Sequence, residues 1–184
     1  MGVLLTITFI LSLGQLPDFY RENINMTVKD SIVKLEGYYF FFNNSAYDTK
    51  IALAYPFPIN EDLKFPFAIS IFDNTQKKEV PYRKQRKSVS FPVSISALDS
   101  TIILINYTQK CTDNYFEYIL TSTKAWGKPL KLAEFTIGID STLKLISHSY
   151  DFDSTYSNKD KTYYYFKRKN FFPDEDIYLR WERR

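Results

Sequence analysis

Short segments of strand-forming residues recur along almost the whole chain, and each is followed by a cluster of turn residues. There are about eleven such segments, with turn signals roughly every ten to fifteen residues. No apolar stripe with the 3.6-residue period of a helix is long enough to predict one. A flat sheet of so many strands would leave a whole face and its edges uncovered. The sequence therefore predicts an all-β, two-sheet antiparallel β-sandwich with little or no helix after the N-terminal leader, with a partly open barrel as the alternative.

The predicted strands follow one another in regular order. They are 27–43, 49–55, 65–72, 79–83, 88–95, 101–109, 115–121, 132–139, 143–152, 162–168 and 177–181. In the first of them, alternate residues from Val33 to Phe41 are mostly apolar, which predicts that this face lies on the core. Residues 17–25 are polar and irregular, and residues 154–161 have the composition of a flexible loop.

Three prolines limit how central some of these strands can be. Pro66, Pro81 and Pro92 fall inside predicted strands. Proline cannot donate a hydrogen bond to a neighbouring strand. We therefore expect these three segments to be sheet edges, bulges or shorter strands.

Composition supports the same fold class. The 184 residues are 45% apolar and 24% charged, which fits one globular domain and argues against disorder and a multi-span membrane protein. Fifteen tyrosines, sixteen phenylalanines and two tryptophans against only five glycines favour pleated surfaces over helices. Cys111 is the one cysteine and cannot form an intramolecular disulfide. This favours a bacterial exported protein over a secreted eukaryotic domain.

The N-terminus has the length and hydrophobicity of a signal-peptide core. Residues 3–13 read VLLTITFILSL, which is too short to span a bilayer, and small residues follow. We predict a leader over residues 1–14 and a single sandwich domain over 15–184, exported to the periplasm, the cell surface or the medium. No lysine or arginine precedes the apolar run, and a first buried strand is the alternative. Contact with a membrane is expected only through an uncleaved leader.

A basic cluster is the strongest local charge signal. Six cations against Glu79 give a net charge of +5 between positions 77 and 87. The six are Lys77, Lys78, Arg83, Lys84, Arg86 and Lys87. Such a cluster can guard a strand edge against aggregation, or it can bind an anionic lipid, glycan or protein face. Nucleic acid is not an expected partner of an exported chain.

Catalytic groups do not converge in the sequence. His148 is the one histidine, and its neighbours Ser147 and Ser149 point to the opposite face of the predicted strand. There is no Gly-x-Ser-x-Gly motif, and nothing near Cys111 would activate its thiol. We therefore predict no catalytic residue, no cofactor and no enzyme.

Two acidic groups are the candidates for a cation site. Asp151 and Asp153 share one predicted strand face, and residues 174–176 form an acidic turn. Either group could offer oxygen ligands to calcium or supply a glycosidase pair, but solvated turns explain the same spacing. We predict no metal site.

Aromatic side chains are the candidates for a ligand-stacking surface. Tyr163 and Tyr165 are predicted to face one way and Tyr164 and Phe166 the other, so that one pair lies on the core. The outer pair could stack on sugar rings. Trp126, beside the strand breakers Gly127 and Pro129, is predicted to plug a sandwich corner or to face a ligand.

The segment from Tyr118 to Leu130, YILTSTKAWGKPL, resembles one in uncharacterised exported β-sandwich proteins of bacteria. There a strand ending Tyr-Ile-Leu is followed by threonines, a tryptophan and Gly-x-Pro-Leu. Residues 55–58, 107–109 and 172–174 look similar too, so that the resemblance covers about two thirds of the chain. It implies an exported domain of unknown role and assigns no catalytic residue.

The sequence as a whole favours a non-enzymatic structural or interaction domain of the cell envelope. Its expected partner is an unknown protein or glycan there. The alternative is a carbohydrate-binding module that uses an exposed aromatic face of one sheet.

Overall fold

The computed structural model describes residues 16–184, and the predicted leader lies outside them. Within this range the chain forms fourteen strands and one short 3₁₀ helix, Thr121–Trp126. The strands are β1 (Asp18–Lys29), β2 (Ile32–Phe42), β3 (Thr49–Pro56), β4 (Phe67–Asp73), β5 (Lys78–Glu79), β6 (Arg83–Lys84), β7 (Ser88–Ile95), β8 (Ser100–Lys110), β9 (Tyr115–Tyr118), β10 (Leu130–Asp140), β11 (Leu143–His148), β12 (Ser154–Ser157), β13 (Lys161–Phe171) and β14 (Ile177–Arg183). No helix in the described range is long and apolar enough to cross a membrane.

The strands form one large sheet and two small ones. The large sheet has the order β12-β13-β10-β1-β2-β8-β4-β5, and the small sheets have the orders β11-β14-β9 and β3-β7-β6. Buried side chains from all three sheets belong to one hydrophobic cluster. The predicted all-β sandwich is confirmed, with the second layer divided into two small sheets.

Two features of this sandwich differ from the simplest antiparallel arrangement. β1 pairs with β10 in parallel and with β2 antiparallel, so that β1 lies in the middle of the large sheet. Pro92 lies in β7, the central strand of a small sheet, opposite Ala52 of β3. It is tolerated because β6 pairs only with Val89 and Ser90, so that β7 is an edge where the proline lies.

The N-terminal part of the sandwich shows the largest difference from expectation. Residues 17–25 were expected to be irregular, and residues 27–43 to be one strand. The structure instead forms a hairpin of β1 and β2, which turns at Asp30 with a left-handed φ of 51°. A bulge at Tyr20 hid the first strand, because it shifts the alternation of buried residues between Phe19 and Glu22.

Two shorter segments also depart from the prediction. The segment 79–83 is divided between β5 and β6, which belong to different sheets. Val80 between them is buried and donates its N–H to Ile71 O, and Pro81 has no N–H to continue a ladder. β12 pairs with β13 along the stretch expected to be a flexible loop. Its four residues are all exposed, which left no apolar pattern to find.

Candidate functional site

A cavity of about 60 Å³ lies between the large sheet and the seam where the two small sheets meet. Its floor comes from β1, β2 and β8 of the large sheet, and its walls come from β3, β7, β9 and the 3₁₀ helix. One water molecule needs roughly 10–15 Å³ of such space, so the cavity has room for a ligand of a few heavy atoms. The deep residues are buried, whereas rim residues such as Ala54 and Ser122 are partly exposed. The cavity therefore opens to the surface between β3 and the 3₁₀ helix.

A single carboxyl group, Glu22, lies at the bottom of the cavity. Beyond the Tyr20 bulge, Glu22 shares the inward face of β1 with Ile24, Met26 and Val28. Its side chain is 0% exposed. Tyr118 donates a hydrogen bond of 3.1 Å to Oε2 of Glu22, whereas Oε1 has no partner among the described residues. An unpaired oxygen of this kind is costly in a protein interior unless a ligand or solvent meets it.

Three tyrosines from three different strands surround this carboxyl group. Tyr39 of β2 lies opposite Glu22 in the large sheet. Its hydroxyl group is 2.7 Å from that of Tyr55 and 3.2 Å from that of Tyr118. The chain of hydroxyl groups thus runs from β3 across the floor to β9 and ends on Glu22. It ties both small sheets to the large one at the site.

Burial raises the pKa of Glu22 to about 8, and the hydrogen bond from Tyr118 offsets only part of that effect. Burial also holds the pKa values of Tyr39, Tyr55 and Tyr118 well above 10. The lining contains no lysine, arginine or histidine among the described residues. The site is therefore close to neutral at pH 7 and becomes negatively charged when Glu22 loses its proton.

The 3₁₀ helix shapes the rim. Asp176 accepts hydrogen bonds from the N–H groups of Leu120 and Thr121, which fixes the start of the helix. Gly127 ends it with a φ of 68°, a left-handed conformation that glycine adopts without steric cost. Thr123 faces the cavity with a buried hydroxyl oxygen, which has no hydrogen-bond partner among the described residues.

Trp126 lies at the rim of the cavity. Its ring is half-buried and packs on Phe19 and Phe41, with centroid distances of 5.8 and 5.5 Å. It also lines the cavity. The indole therefore closes the corner of the sandwich and forms part of the cavity wall.

The cavity presents groups that could bind a small molecule. It presents one carboxyl group, hydroxyl groups and aromatic rings, with neither a cysteine nor a histidine among its described lining residues. No group of three or more His, Cys, Asp or Glu side chains in the described range could hold a metal ion. Aromatic walls with a few converging polar atoms are typical of small-molecule sites.

The two predicted stacking tyrosines lie away from the cavity, on the outer face of the large sheet. Phe166 is buried and Tyr164 packs on the core, so the predicted division of the two pairs is confirmed. Tyr163 stacks on Tyr156, with ring centroids 4.9 Å apart and 13° between their planes, and Tyr156 is 57% exposed. Tyr165 makes a 3.3 Å hydrogen bond to Glu134. The structure therefore does not bring these tyrosines together with Trp126.

The basic cluster is divided between two sheets. Lys77 and Lys78 lie at the β4–β5 hairpin, which turns after Asp73, and β5 is an edge of the large sheet. Arg83 and Lys84 form β6, an edge of a small sheet, and Lys84 lies 3.9 Å from the centroid of the Phe65 ring. The basic cluster, which is continuous in the sequence, thus lies on the edges of two different sheets. The break at Val80–Pro81 separates them.

Arg86 and Lys87 belong to the turn between β6 and β7. Arg86 is exposed, whereas Lys87 is half-buried and donates a 2.9 Å hydrogen bond to Ile59 O. The cluster thus follows strand edges and their turns.

The other candidate residues have local structural contacts. His148 Nδ1 is 3.0 Å from Tyr150 O, and the ring lies against Phe152. Cys111 is buried, and burial raises the pKa of its thiol to about 12. Asp153 accepts hydrogen bonds from the Lys167 N–H and from Arg168.

Glu22 and its tyrosines were missed at the sequence level. Tyr39 was placed on the core face, but nothing singled out Glu22, because its segment was taken as irregular. The available signal was a carboxyl residue in phase with Ile24, Met26 and Val28. Tyr55 and Tyr118 lie far away in the sequence, so only the folded chain brings the group together.

Comparison with solved structures finds this fold in proteins of low sequence identity. A proposed nutrient-binding protein from Legionella pneumophila matches with a TM-score of 0.70 and 14% identity, over 91% of this chain and 70% of that one. An M1 zinc metallopeptidase from Deinococcus radiodurans matches with a TM-score of 0.53 and 8% identity, over 91% of this chain. This chain spans 43% of the peptidase chain.

These likenesses show the fold alone. No protein-family model and no curated protein sequence matches the chain. The resemblance to uncharacterised exported β-sandwich proteins of bacteria therefore stays a prediction.

Proposed function

We propose that the chain is a non-catalytic binding domain of an exported cell-envelope protein, and that its ligand occupies the cavity above Glu22. The observation that carries this proposal is the pair of buried oxygens, Glu22 Oε1 and Thr123 Oγ1, that line one cavity without partners among the described residues. Folding a chain around unsatisfied polar atoms costs stability, so such atoms are favoured where a ligand needs them. The fold of a proposed nutrient-binding protein supports a binding role.

The likeness to a zinc peptidase does not favour peptidase activity in this chain. Zinc peptidases of the His-Glu-x-x-His type hold the metal with two histidines of one helix. This sequence contains a single histidine, and its described part has no suitable donor group. The residues present therefore do not fit a catalytic zinc ion. We propose that the shared fold serves as a non-catalytic module here.

Two positions of the 3₁₀ helix provide the test. Ser122 lines the cavity at the rim, whereas Lys124 in the same helix is exposed and does not. We expect a screen of small polar and charged fragments, followed by ¹H–¹⁵N NMR, to give saturable shifts around Tyr118 and Trp126. Ser122→Phe should abolish these shifts because a bulky ring at the rim obstructs the entrance, and Lys124→Phe should preserve them. Shifts that persist in Ser122→Phe would contradict the proposal, as would a screen without any binder.

Carbohydrate binding is the second candidate, supported by the exposed Tyr156–Tyr163 stack on the outer face of the large sheet. Tyr163 packs closely over Gly138, where an added Cβ atom would lie 3.2 Å from the tyrosine ring. This leaves a flat aromatic surface on which a sugar ring could stack. We expect binding to a glycan array to be lost in Tyr156→Ala if this surface is used. Array binding that survives Tyr156→Ala would remove this candidate.

A further inference from the structure

We infer that the cavity binds a small organic ammonium group, with the Glu22 carboxylate as its counter-ion. This inference rests on the proposed function and names the ligand class for the same site. It is carried by a buried carboxyl group that lacks a basic partner, together with the aromatic rings around it.

The Glu22 carboxyl group has no positively charged partner in the described lining of the cavity. Buried carboxylates in proteins are normally paired with a basic side chain or a metal. The described lining of this cavity supplies no basic side chain, and only Tyr118 donates a hydrogen bond to Glu22. A positively charged ligand would provide the missing partner. Oε1 of Glu22 and Oγ1 of Thr123 are free to accept hydrogen bonds from its N–H groups.

The aromatic lining favours an organic cation over an inorganic one. The rings of Phe19, Tyr39, Tyr55, Tyr118 and Trp126 all line the cavity. Cations are attracted to the faces of aromatic rings, and Trp and Tyr are the strongest partners. Calcium and magnesium ions instead require about six or more oxygen ligands. The volume of about 60 Å³ limits the bound part to a small head group, whose tail can leave through the rim.

Proton release provides a signature for such binding. At pH 6 Glu22 carries a proton in the free protein, because burial raises its pKa to about 8. An ammonium ligand binds the ionised form, so that each binding event at pH 6 releases this proton to solvent. The other titratable groups that face Glu22 are Tyr39 of β2, Tyr55 of β3 and Tyr118 of β9. Their raised pKa values keep them neutral over this pH range.

Ethylammonium chloride and ethanol are matched probes, because they have the same number of heavy atoms and differ in charge. We expect the wild-type chain at pH 9 to bind ethylammonium saturably, with NMR shifts around Glu22, Tyr118 and Trp126, and to bind ethanol much more weakly. Between pH 5 and 8 the affinity for ethylammonium should rise by up to about tenfold per pH unit and then level off. Tetramethylammonium, which has no N–H group, tests the two hydrogen-bond acceptors and should bind more weakly.

Two variants separate the charge of Glu22 from the fold. Glu22→Gln keeps the shape of the side chain and should weaken ethylammonium binding by about 30-fold or more. Glu134→Gln removes a carboxylate from the neighbouring strand β10, where Glu134 pairs with Arg21, and should bind like wild type. The pH series on the wild-type chain keeps the test valid even if Glu22→Gln does not fold.

The outcomes distinguish this inference from the proposed function. Equal binding of ethanol and ethylammonium, or ethylammonium binding that is independent of pH between 5 and 8, would overturn the ammonium assignment and leave a binding cavity. The absence of binding by every charged and neutral fragment would overturn both.

Discussion

Two charged regions of this protein contrast with each other, the basic edges around β5 and β6 and the buried carboxyl group of Glu22. The edges carry six cations that solvent reaches or that neighbouring groups satisfy, so their interactions are screened and individually weak. Glu22 is a single carboxyl group, but it is fully buried and has no basic partner among the residues of its described lining. The surroundings of a charged group therefore decide how strongly it affects stability and binding. The number of charges in the sequence does not decide this.

The largest expected effect of Glu22 is on the pH dependence of the free energy of unfolding. Glu22 has an ordinary pKa of 4.5 in the unfolded chain and a pKa of about 8 in the folded one. Between these values the folded state binds more protons, so the free energy of unfolding falls as pH rises, by up to about 1.4 kcal/mol per pH unit. From pH 4.5 to pH 8 the wild-type chain should lose roughly 4 kcal/mol relative to Glu22→Gln.

Urea unfolding at a series of pH values measures this difference. Glu134→Gln is the control, because its carboxylate lies on the outer face of the large sheet with Arg21. Its stability should follow the wild-type pH profile. A wild-type profile parallel to that of Glu22→Gln would show that Glu22 titrates normally.

Replacing each of the two tryptophans by alanine compares the core with the rim of the site. Trp181 is buried and donates a 3.1 Å hydrogen bond to Asp30 O, so Trp181→Ala should cost about 3–5 kcal/mol of unfolding free energy. Trp126 is only half-buried, and Trp126→Ala should cost about 2 kcal/mol and widen the entrance of the cavity. Chemical denaturation checks both values. Equal losses for the two variants would mean that Trp126 is a core residue and no part of a binding rim.

The hydroxyl group of Tyr118 should matter most when Glu22 is charged. Tyr118→Phe removes the hydrogen bond to Glu22 and should destabilise the protein by about 1–3 kcal/mol above pH 8, and by less at pH 5. Tyr115→Phe on the same strand loses a hydrogen bond to the partly exposed Glu117 and serves as the control. A loss in Tyr118→Phe that is identical at both pH values would separate this hydroxyl from the ionisation of Glu22.

The basic edges should give the smallest effect on stability. Arg83 and Arg86 are exposed, so replacing both with glutamate should change the free energy of unfolding by no more than about 0.5 kcal/mol each. If the edges bind anions, heparin affinity should fall with added salt and fall again in this double variant. Heparin binding that is unchanged by added salt and by the double variant would contradict anion binding. Protection of the strand edges against aggregation would then be the role of the basic edges.

Much of the sandwich could be predicted from the alternation of apolar residues. The strand over residues 88–95 was predicted with the bounds of β7, and the inward face from Val33 to Phe41 is the buried face of β2. Prediction was wrong where the alternation breaks or disappears. β1 was not predicted because the bulge at Tyr20 shifts its alternation of apolar residues. β12 was not predicted because its exposed residues have no apolar pattern.

The candidate site was much less predictable than the fold. Its polar groups come from β1, β2, β3, β9 and the 3₁₀ helix. No local sequence pattern predicts how these elements come together. Trp126 was the one lining residue singled out as a ligand contact, because a tryptophan beside Gly127 and Pro129 is conspicuous. Glu22 was not, since a lone carboxyl residue in a polar segment looks like a solvated one.

The pKa of Glu22, measured by ¹³C NMR of its carboxyl carbon with and without ethylammonium, is the most direct test. We predict a titration midpoint near 8 in the free protein. Saturating ethylammonium should lower it by more than one pH unit, because the cation stabilises the carboxylate. A midpoint near 4.5 in the free protein, or one that ethylammonium leaves unchanged, would contradict the view that this buried carboxyl group forms a cation-binding site.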